Sequence, residues 1–237
     1  MSDPYIRVLR LPHTGFTGRN TGVVAAKGEW ICFLDSDDRW LPQKIEKQLA
    51  ALKENNAECC YTNFEMEDEE GNFLPMKAGS FKAFSGNIIE QVITTEAAVC
   101  VCSLMLSRRL FDRTGGYNEQ APPVFREDYE FTLRLALSAE IIALPDVLVR
   151  IREHTGRQTN AVSAAQAHLN TASTYKIFMR YLADKKLRAM VAEHYRNHIL
   201  AAAKNTLRAG RPVKAMQLMM RSLVPGFQSP EPAASKI

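Results

Sequence analysis

The 237-residue sequence has few features that mark a secreted, membrane-spanning or repeat protein. Its five cysteines form no CxxC pair, and an odd number without ligand spacing favours reduced, packed thiols in a cytoplasmic protein. The first ten residues contain no apolar stretch of signal-peptide length. The longest apolar run, Ala97 to Leu106, is interrupted by Ser103 and is too short to span a bilayer. No repeat of fixed period is evident.

Charge of each sign is concentrated in a different part of the chain. Residues 1–170 carry 18 Lys and Arg and 23 Asp and Glu. Residues 171–225 carry 11 Lys and Arg but only two acidic residues, Asp184 and Glu193. One hypothesis is that region 171–225 rests against an anionic membrane surface, at the inner face of the cell membrane, or against a lipid-linked acceptor. A solvated helical face packed on the core explains the same charges equally well. We expect no nucleic-acid partner.

The pattern of apolar residues predicts an α/β fold with a helical appendage, because strand-like and helix-like segments alternate in the first 160 residues. Predicted strands lie at 6–9, 30–34, 58–64, 99–106 and 141–151. One predicted helix ends near Gly28, a second begins near Pro42, and two more cover 86–93 and 125–137. From Val162 the pattern is helical to about Leu223, with breaks near Asp184 and at 210–212. The predicted organisation is a core at 1–160, a helical region at 161–225 and a disordered tail at 226–237.

Three acidic residues, Asp35, Asp37 and Asp38, follow the predicted strand at 30–34 directly. On an extended backbone, side chains two residues apart face the same way, so Asp35 and Asp37 should converge. Carboxylates at the carboxyl end of a strand suit Mg²⁺ or Mn²⁺, which such sites usually share with substrate phosphates. The alternative is an acidic loop that only caps the helix near Pro42.

Two further segments could take part in chemistry. Glu127 and Asp128 open a predicted amphipathic helix, where the helix's positive end stabilises a carboxylate that could act as a general base. Acidic residues there often only complement the helix dipole. His154 follows Arg150 and Arg152 at a strand end, where an imidazole could join carboxylates on a metal and the arginines could meet phosphates. A solvated histidine is the alternative.

Taken together, these segments resemble the family 2 glycosyltransferases, which have the nucleotide-diphospho-sugar transferase fold called GT-A. That fold is a Rossmann-like mixed sheet flanked by helices. The resemblance covers residues 5 to about 160. The matching segments are RNTG (19–22) with AKGE (26–29), FLDSDDRWLPQKIEKQ (33–48), FDRTGGYNE (111–119), REDYEFTLRLA (126–136) and VLVRIREHTGRQT (147–159).

The resemblance implies a role for each matched residue. Asp128 corresponds to the catalytic base, and Glu127 beside it to a contact with acceptor or donor. Asp37 and His154 correspond to the metal ligands. The residues implied in donor binding are Arg19, Asn20, Asp35, Asp37, Gly115 and Gly116, although the two glycines could equally form a turn after a helix.

The implied activity is transfer of a sugar from a nucleotide-diphosphate donor, a UDP-sugar, to an acceptor hydroxyl with inversion and with Mg²⁺ or Mn²⁺. Such enzymes act in polysaccharide, lipopolysaccharide or glycolipid synthesis on saccharide or lipid-linked acceptors. An aspartate-nucleophile phosphatase also carries DxD after a buried strand, but Asp38-Arg39-Trp40 does not fit its pattern. In a nucleotidyltransferase of related fold, the Glu-Asp and RxH segments would have no role.

The sequence departs from the family at its beginning. The family starts with a strand and turn similar to VSVIIPTYN and a VVDDGSTD segment that hold the base and ribose, and neither precedes Ile6 here. We therefore expect a truncated GT-A domain that lacks its first strands, with a weakened fold and little donor affinity. A non-catalytic remnant or mis-started fragment is the corresponding alternative.

Overall fold

A computed structural model describes residues 5–11, 17–75, 82–119, 126–155 and 162–223. The predicted tail at 226–237 lies outside these residues. Within them, a mixed sheet is flanked by helices, and this arrangement confirms the predicted α/β class. No helix in this part of the chain is both long and apolar enough to cross a membrane.

The sheet has six strands within the described residues, and two long parallel strands form its centre. The strands are β1 (Trp30–Ile31), β2 (Arg39–Trp40), β3 (Cys59–Glu67), β4 (Phe73–Leu74), β5 (Met105–Ser107) and β6 (Ile142–Arg152). Their order is β1-β5-β3-β6-β2, and β4 pairs with β3. Only β3 and β6 run parallel, with Cys60 opposite Ile142 and Glu67 opposite Arg152. The carboxyl end of β6 therefore lies beside β2, which directly follows the acidic loop.

Helices cover the sheet and continue to the end of the described chain. They are α1 (Thr17–Ala25), α2 (Lys44–Glu54), α3 (Ile89–Ile93), α4 (Arg108–Thr114), α5 (Glu127–Ser138), α6 (Ala164–Phe178), α7 (Lys185–Arg208) and α8 (Pro212–Leu223). Three begin at a side chain that accepts a hydrogen bond from the first helical turn, the N-cap arrangement that Ser and Asp favour. These caps are Ser107 of α4, Ser163 of α6 and Asp184 of α7.

One apolar core joins the sheet to the C-terminal helices. Phe33, Tyr117 and Phe131 pack ring to ring, with Tyr117 stacked on Phe131 at 4.4 Å between centroids. The buried hydroxyls of Tyr129 and Tyr175 lie 3.0 Å apart and connect α5 to α6. The same core contains side chains of α6 and α7. The helical region therefore packs directly on the helices that flank the sheet.

Three predicted strands are wrong or too long, and the one predicted at 30–34 is limited to β1 at Trp30–Ile31. Residues 6–9 form no strand, and the side chains of Ile6 and Val8 are 68% and 78% exposed. The predicted strand at 99–106 is a 3-10 turn at 101–103 followed by β5. An apolar run indicates burial but not backbone geometry, since a buried turn and a buried strand need the same residues.

Helix α2 buries a different face from the predicted one. Ile45, Leu49 and Leu52 recur at the helical spacing that is typical of a core-facing stripe, but only Leu52 is buried and Ile45 is 40% exposed. Lys44 and Gln48 are fully buried instead. The Lys44 Nζ donates to Gln48 Oε1 at 2.6 Å and lies 4.4 Å from the centre of the Trp40 ring. A hydrogen bond and a cation–π contact thus offset the cost of burying this charge.

Candidate active site

The acidic loop after β1 is a turn rather than an extension of the strand. The backbone N–H of Asp38 donates to the Asp35 carbonyl at 3.1 Å, so the chain reverses between them. The alternation expected of a strand therefore does not apply. Asp35 contacts Arg19, whereas Asp37 contacts His154, and the two carboxylates face different partners.

Cys102 holds the acidic loop in place from the neighbouring 3-10 turn. Its Sγ accepts from the Asp35 backbone N–H at 3.4 Å and donates to Asp38 Oδ2 at 3.1 Å. Hydrogen bonding with Cys100 and burial raise the pKa of the Cys102 thiol, which therefore stays protonated and acts as a donor. The other Asp38 oxygen accepts from the Arg152 backbone N–H at 3.2 Å. Burial, the largest cause, raises the pKa of Asp38.

Arg19 of α1 links the acidic loop to the start of α5. Its guanidinium donates to Asp35 at 2.9 Å and lies 3.5 Å from the Glu127 carboxylate. It also lies 5.2 Å from the centre of the Tyr117 ring. Burial lowers the pKa of Arg19, but the combined effect of Tyr117, Asp35 and Glu127 raises it by more, so the net shift of the pKa is upward. A fixed cation is thus shared by two carboxylates that are distant in sequence.

Asn20 fixes the backbone directly after α4. Its side-chain amide donates to the Tyr117 carbonyl at 2.8 Å and accepts from the Tyr117 N–H at 2.8 Å. This approach requires glycine at 116, where φ is +65° and a Cβ would lie 2.7 Å from Asn20 Oδ1. Gly115 differs, since it caps α4 at φ +76° and a Cβ there would meet nothing within 4 Å. Only Gly116 has a close-approach role.

Glu127 and Asp128 stand at the amino end of α5, as predicted. The Asp128 side chain is 45% exposed, and its Oδ1 accepts from the Tyr129 N–H at 2.7 Å. Glu127 is 30% exposed, and burial raises its pKa against the opposing effect of Arg19. Of the two carboxylates, Asp128 is the more accessible to a second substrate.

Asp37 and His154, the two residues that the resemblance implies as metal ligands, are in contact. His154 Nε2 lies 3.0 Å from Asp37 Oδ2. Two donor atoms that bind one Mg²⁺ or Mn²⁺ at about 2.1 Å and at right angles lie about 3 Å apart. A carboxylate oxygen and an imidazole nitrogen also suit these ions. The pair therefore fits a shared ion.

A second group of potential ligands adjoins the first. Single ligand atoms of Asp35, Asp38 and Cys102 lie within 4.8 Å of one another, the only group of three or more such residues within the described ranges. The protonated thiol of Cys102 is a poor ligand for a hard cation, because such ions prefer oxygen. The oxygens of Asp35 and Asp38 remain as alternative ligands.

The expectation that Arg150 and Arg152 are free to meet phosphates is weakened by their contacts. Arg150 forms an ion pair with Glu65 and lies 3.7 Å from Glu67. The Arg152 guanidinium lies 3.8 Å from Glu67, which is almost completely buried. These arginines balance a buried carboxylate between the two parallel strands.

Sequence reasoning missed three residues that shape the site. Cys102 orients the acidic loop, and Tyr117 packs between Arg19 and the core. The buried Arg134 donates to the carbonyls of Thr114 and Gly116, at 2.5 and 2.7 Å, and so holds the glycine turn. Tyr117 and Arg134 lie in the matched segments 111–119 and 126–136, but the resemblance assigns neither a role, and the spacing of four between Glu130 and Arg134 indicates only helix stability.

The chain matches a model of the family described as glycosyltransferase like family 2 over residues 13–207. This match covers most of the chain, including every residue of the site above. The chain belongs to this family. The match gives no support to the phosphatase alternative.

Relatives in bacteria carry glycosyltransferase names. An Escherichia coli protein named UDP-Glc:alpha-D-GlcNAc-diphosphoundecaprenol beta-1,3-glucosyltransferase WfgD is 31% identical over 60% of this chain and 53% of its own length. An uncharacterized glycosyltransferase of Rickettsia bellii is 40% identical over 33% of this chain and 11% of its own length. The chain thus spans about half or less of these relatives.

Solved structures confirm the fold. The crystal structure of S. aureus TarS 1-349 in complex with UDP-GlcNAc matches 88% of this chain and 60% of that chain, with a TM-score of 0.60 and 15% identity. A second TarS structure, in complex with UDP, gives a TM-score of 0.54. The fold of this family member is therefore the GT-A fold of the glycosyltransferases.

Proposed function

We propose that the protein transfers a sugar from a nucleotide-diphosphate donor to an acceptor hydroxyl during cell-envelope glycan synthesis. The observation that carries the proposal is the convergence of Arg19, Asp35, Glu127 and Tyr117 from separate segments of a family 2 chain. A UDP-sugar is the proposed donor, because TarS was crystallised with UDP-GlcNAc and the E. coli relative is named for UDP-Glc. A lipid-linked diphosphate is the proposed acceptor, in line with that relative's name.

Asp128 is the proposed general base. It is exposed at the amino end of α5, where the helix dipole stabilises its negative charge. In an inverting displacement, it takes the proton of the acceptor hydroxyl while that oxygen attacks the anomeric carbon, and the nucleoside diphosphate leaves from the opposite face. Glu127, paired with Arg19, positions donor or acceptor beside it.

Asp37 and His154 are the proposed ligands of Mg²⁺ or Mn²⁺. When bound, such an ion neutralises negative charge on the diphosphate of the donor. The protein's own contribution is to present the two side chains together from the acidic loop and from the end of β6. Arg19 keeps a fixed positive charge beside Asp35, which contributes to the donor side of the site.

The test is sugar transfer by purified full chain, measured as UDP release with a panel of UDP-sugars and a lipid-diphosphate-linked saccharide acceptor. The Asp128→Asn variant should retain donor affinity but lose turnover by roughly 10² or more, as expected when a general base is removed. Glu70→Gln, at an exposed acid in the turn between β3 and β4, is the matched control. Its turnover should equal that of the wild type.

Two outcomes would contradict parts of the proposal. If the turnover of Asp128→Asn is within a few-fold of wild type, Asp128 is not the general base, and Glu127 becomes the candidate for that role. Absence of transfer by the wild-type chain with every donor, in samples that melt cooperatively, would favour the alternative of a non-catalytic family member.

A further inference from the structure

Helix α8 has two apolar faces, and only one of them is covered by the described part of the chain. Ala215, Leu218 and Ser222 are buried, at 9% exposure or less. Val213, Met216 and Met220 repeat the same spacing of three and four residues, yet they are 65%, 58% and 62% exposed. At 100° per residue, the two sets lie on nearly opposite sides of the helix. We call Val213, Met216 and Met220 the α8 stripe.

The stripe cannot be explained by packing on α7. That contact is made by the opposite face, and Leu218 belongs to the main core. Exposed methionine and valine side chains in a continuous line cost free energy in water, and a line is less common on a surface than scattered single residues. The stripe therefore has the form of a contact surface for something outside the described chain.

The charges on α7, on α8 and on the connection between them indicate the chemistry of the partner. No acidic residue occurs from 194 to 223, whereas six basic residues do. All six are exposed, and none pairs with an acidic side chain elsewhere in the described residues. They are Arg196, Lys204, Arg208, Arg211, Lys214 and Arg221. Such a surface complements an anionic partner.

We infer that the α8 stripe inserts into the interface of an anionic lipid bilayer, with the surrounding basic residues on the headgroups. A nucleic acid would use the positive charges but would gain nothing from a line of Val and Met. An interfacial amphipathic helix uses both features. Leu200 and Leu207 on α7, which are 46% and 50% exposed among Arg196, Lys204 and Arg208, extend the same combination of groups.

This surface would bring the protein to the compartment where a lipid-linked acceptor resides. The inference is independent of catalysis, and its test uses neither donor nor acceptor. A failed vesicle experiment would leave the proposed transfer untouched, and a failed transfer assay would leave the membrane contact untouched.

The experiment is co-sedimentation of the full chain with vesicles of phosphatidylglycerol and phosphatidylcholine, compared with vesicles of phosphatidylcholine alone. The wild-type protein should sediment with the anionic vesicles but not with the neutral ones. Its binding should weaken as the salt concentration rises from about 0.05 to about 0.5 M. Met216→Gln/Met220→Gln should weaken binding at least about tenfold, since two apolar side chains no longer insert. Val24→Gln, which changes an apolar residue of α1 that is more exposed than either methionine, should leave binding unchanged.

A charge variant separates the local surface from net charge. Lys214→Glu/Arg221→Glu should abolish binding, whereas Lys27→Glu/Lys53→Glu, which changes the net charge equally at exposed sites elsewhere, should reduce it far less. Melting temperatures of all variants are measured in parallel, so that an unfolded variant is recognised. If a variant is unfolded, its loss of binding is disregarded, and the salt and lipid dependence of wild-type binding decides the question.

Three results would overturn the inference. These are equal recovery of wild type with both vesicle types, unchanged binding by the methionine double variant, and a wild-type dimer that this variant converts to monomer without any vesicle binding. The last result would assign the stripe to contact between two copies of the chain.

Discussion

Asp37 and His154 illustrate how much depends on one contact between distant residues. His154 lies 117 positions after Asp37, yet its Nε2 is 3.0 Å from the carboxylate. A carboxylate next to an imidazole forms a hydrogen bond without a metal and supplies two ligands when a metal binds. The geometry fits both states, so a binding measurement has to separate them.

We predict that Asp37→Ala abolishes the effect of Mn²⁺ on UDP binding. The physical reason is that loss of one carboxylate leaves His154 as a single ligand, which holds a divalent cation weakly. Calorimetric titration of UDP in Mn²⁺ and in chelator measures the effect for wild type, for Asp37→Ala and for the remote control Glu70→Ala. The control should retain the full effect of Mn²⁺.

Variants of the neighbouring carboxylates, Asp35 and Asp38, could contradict the assignment of Asp37 as a metal ligand. If the Mn²⁺ effect survives in Asp37→Ala but disappears in Asp35→Ala or Asp38→Ala, the ion belongs to the second group of ligands. The assignment of Asp37 and His154 would then be wrong, and their contact would be a structural one.

At the scale of elements, α5 and the turn after α4 act as one unit. Arg134 is 5% exposed and pairs with the fully buried Glu130 at 2.7 Å, while its guanidinium also donates to the carbonyls of Thr114 and Gly116. The same helix begins with Glu127 and Asp128. The ion pair therefore fixes the glycine turn relative to the proposed base.

We expect Arg134→Met to lower the free energy of unfolding by about 3–5 kcal/mol, because Glu130 would be left as a buried, uncompensated charge. The double variant Glu130→Gln/Arg134→Met should lose less, since it removes that charge. Urea denaturation of the two variants and the wild type measures the difference. A single variant within about 1 kcal/mol of wild type, or a double variant that is less stable than the single one, would contradict this account.

At the scale of the whole molecule, acid should weaken the fold through Glu58. This carboxylate, directly before β3, accepts hydrogen bonds from Arg113, Arg109 and Ser107, each from the β5–α4 segment. Arg113, the largest cause, lowers the pKa of Glu58 from 4.5 to about 2. A lowered folded-state pKa means that this contribution to stability is present above about pH 4.5 and is lost as the pH falls towards about 2.

Glu58→Gln should therefore be less stable than wild type near neutral pH, and the difference should narrow as the pH falls from about 4.5 to about 2. Unfolding free energies at several pH values measure it, with Glu70→Gln as a control that should show no comparable narrowing. A difference that stays constant with pH would mean that hydrogen bonding by a neutral side chain, and not the carboxylate charge, stabilises this junction.

The α/β class, the helix at 127–138 and the strand at 142–152 could be predicted from the sequence because each segment has a periodicity that its neighbours reinforce. The three C-terminal helices could be predicted for the same reason, and the predicted breaks near Asp184 and near Gly210 fall between α6 and α7 and between α7 and α8. The helix near Pro42 could be predicted as well, but the buried face of α2 could not, because Gln48 donates to the carbonyl of Ser103, which is remote in sequence.

The sequence by itself determined which residue types are available for chemistry: three aspartates in one loop, a Glu-Asp pair at a helix start and a histidine after a strand. Only the tertiary structure decided which of them meet. It turned Asp35 towards Arg19 and Asp37 towards His154, and it placed Cys102 beneath the loop. Local spacing cannot specify such contacts, because the chain reverses within the loop and the partners come from strands and helices that the sheet order brings together.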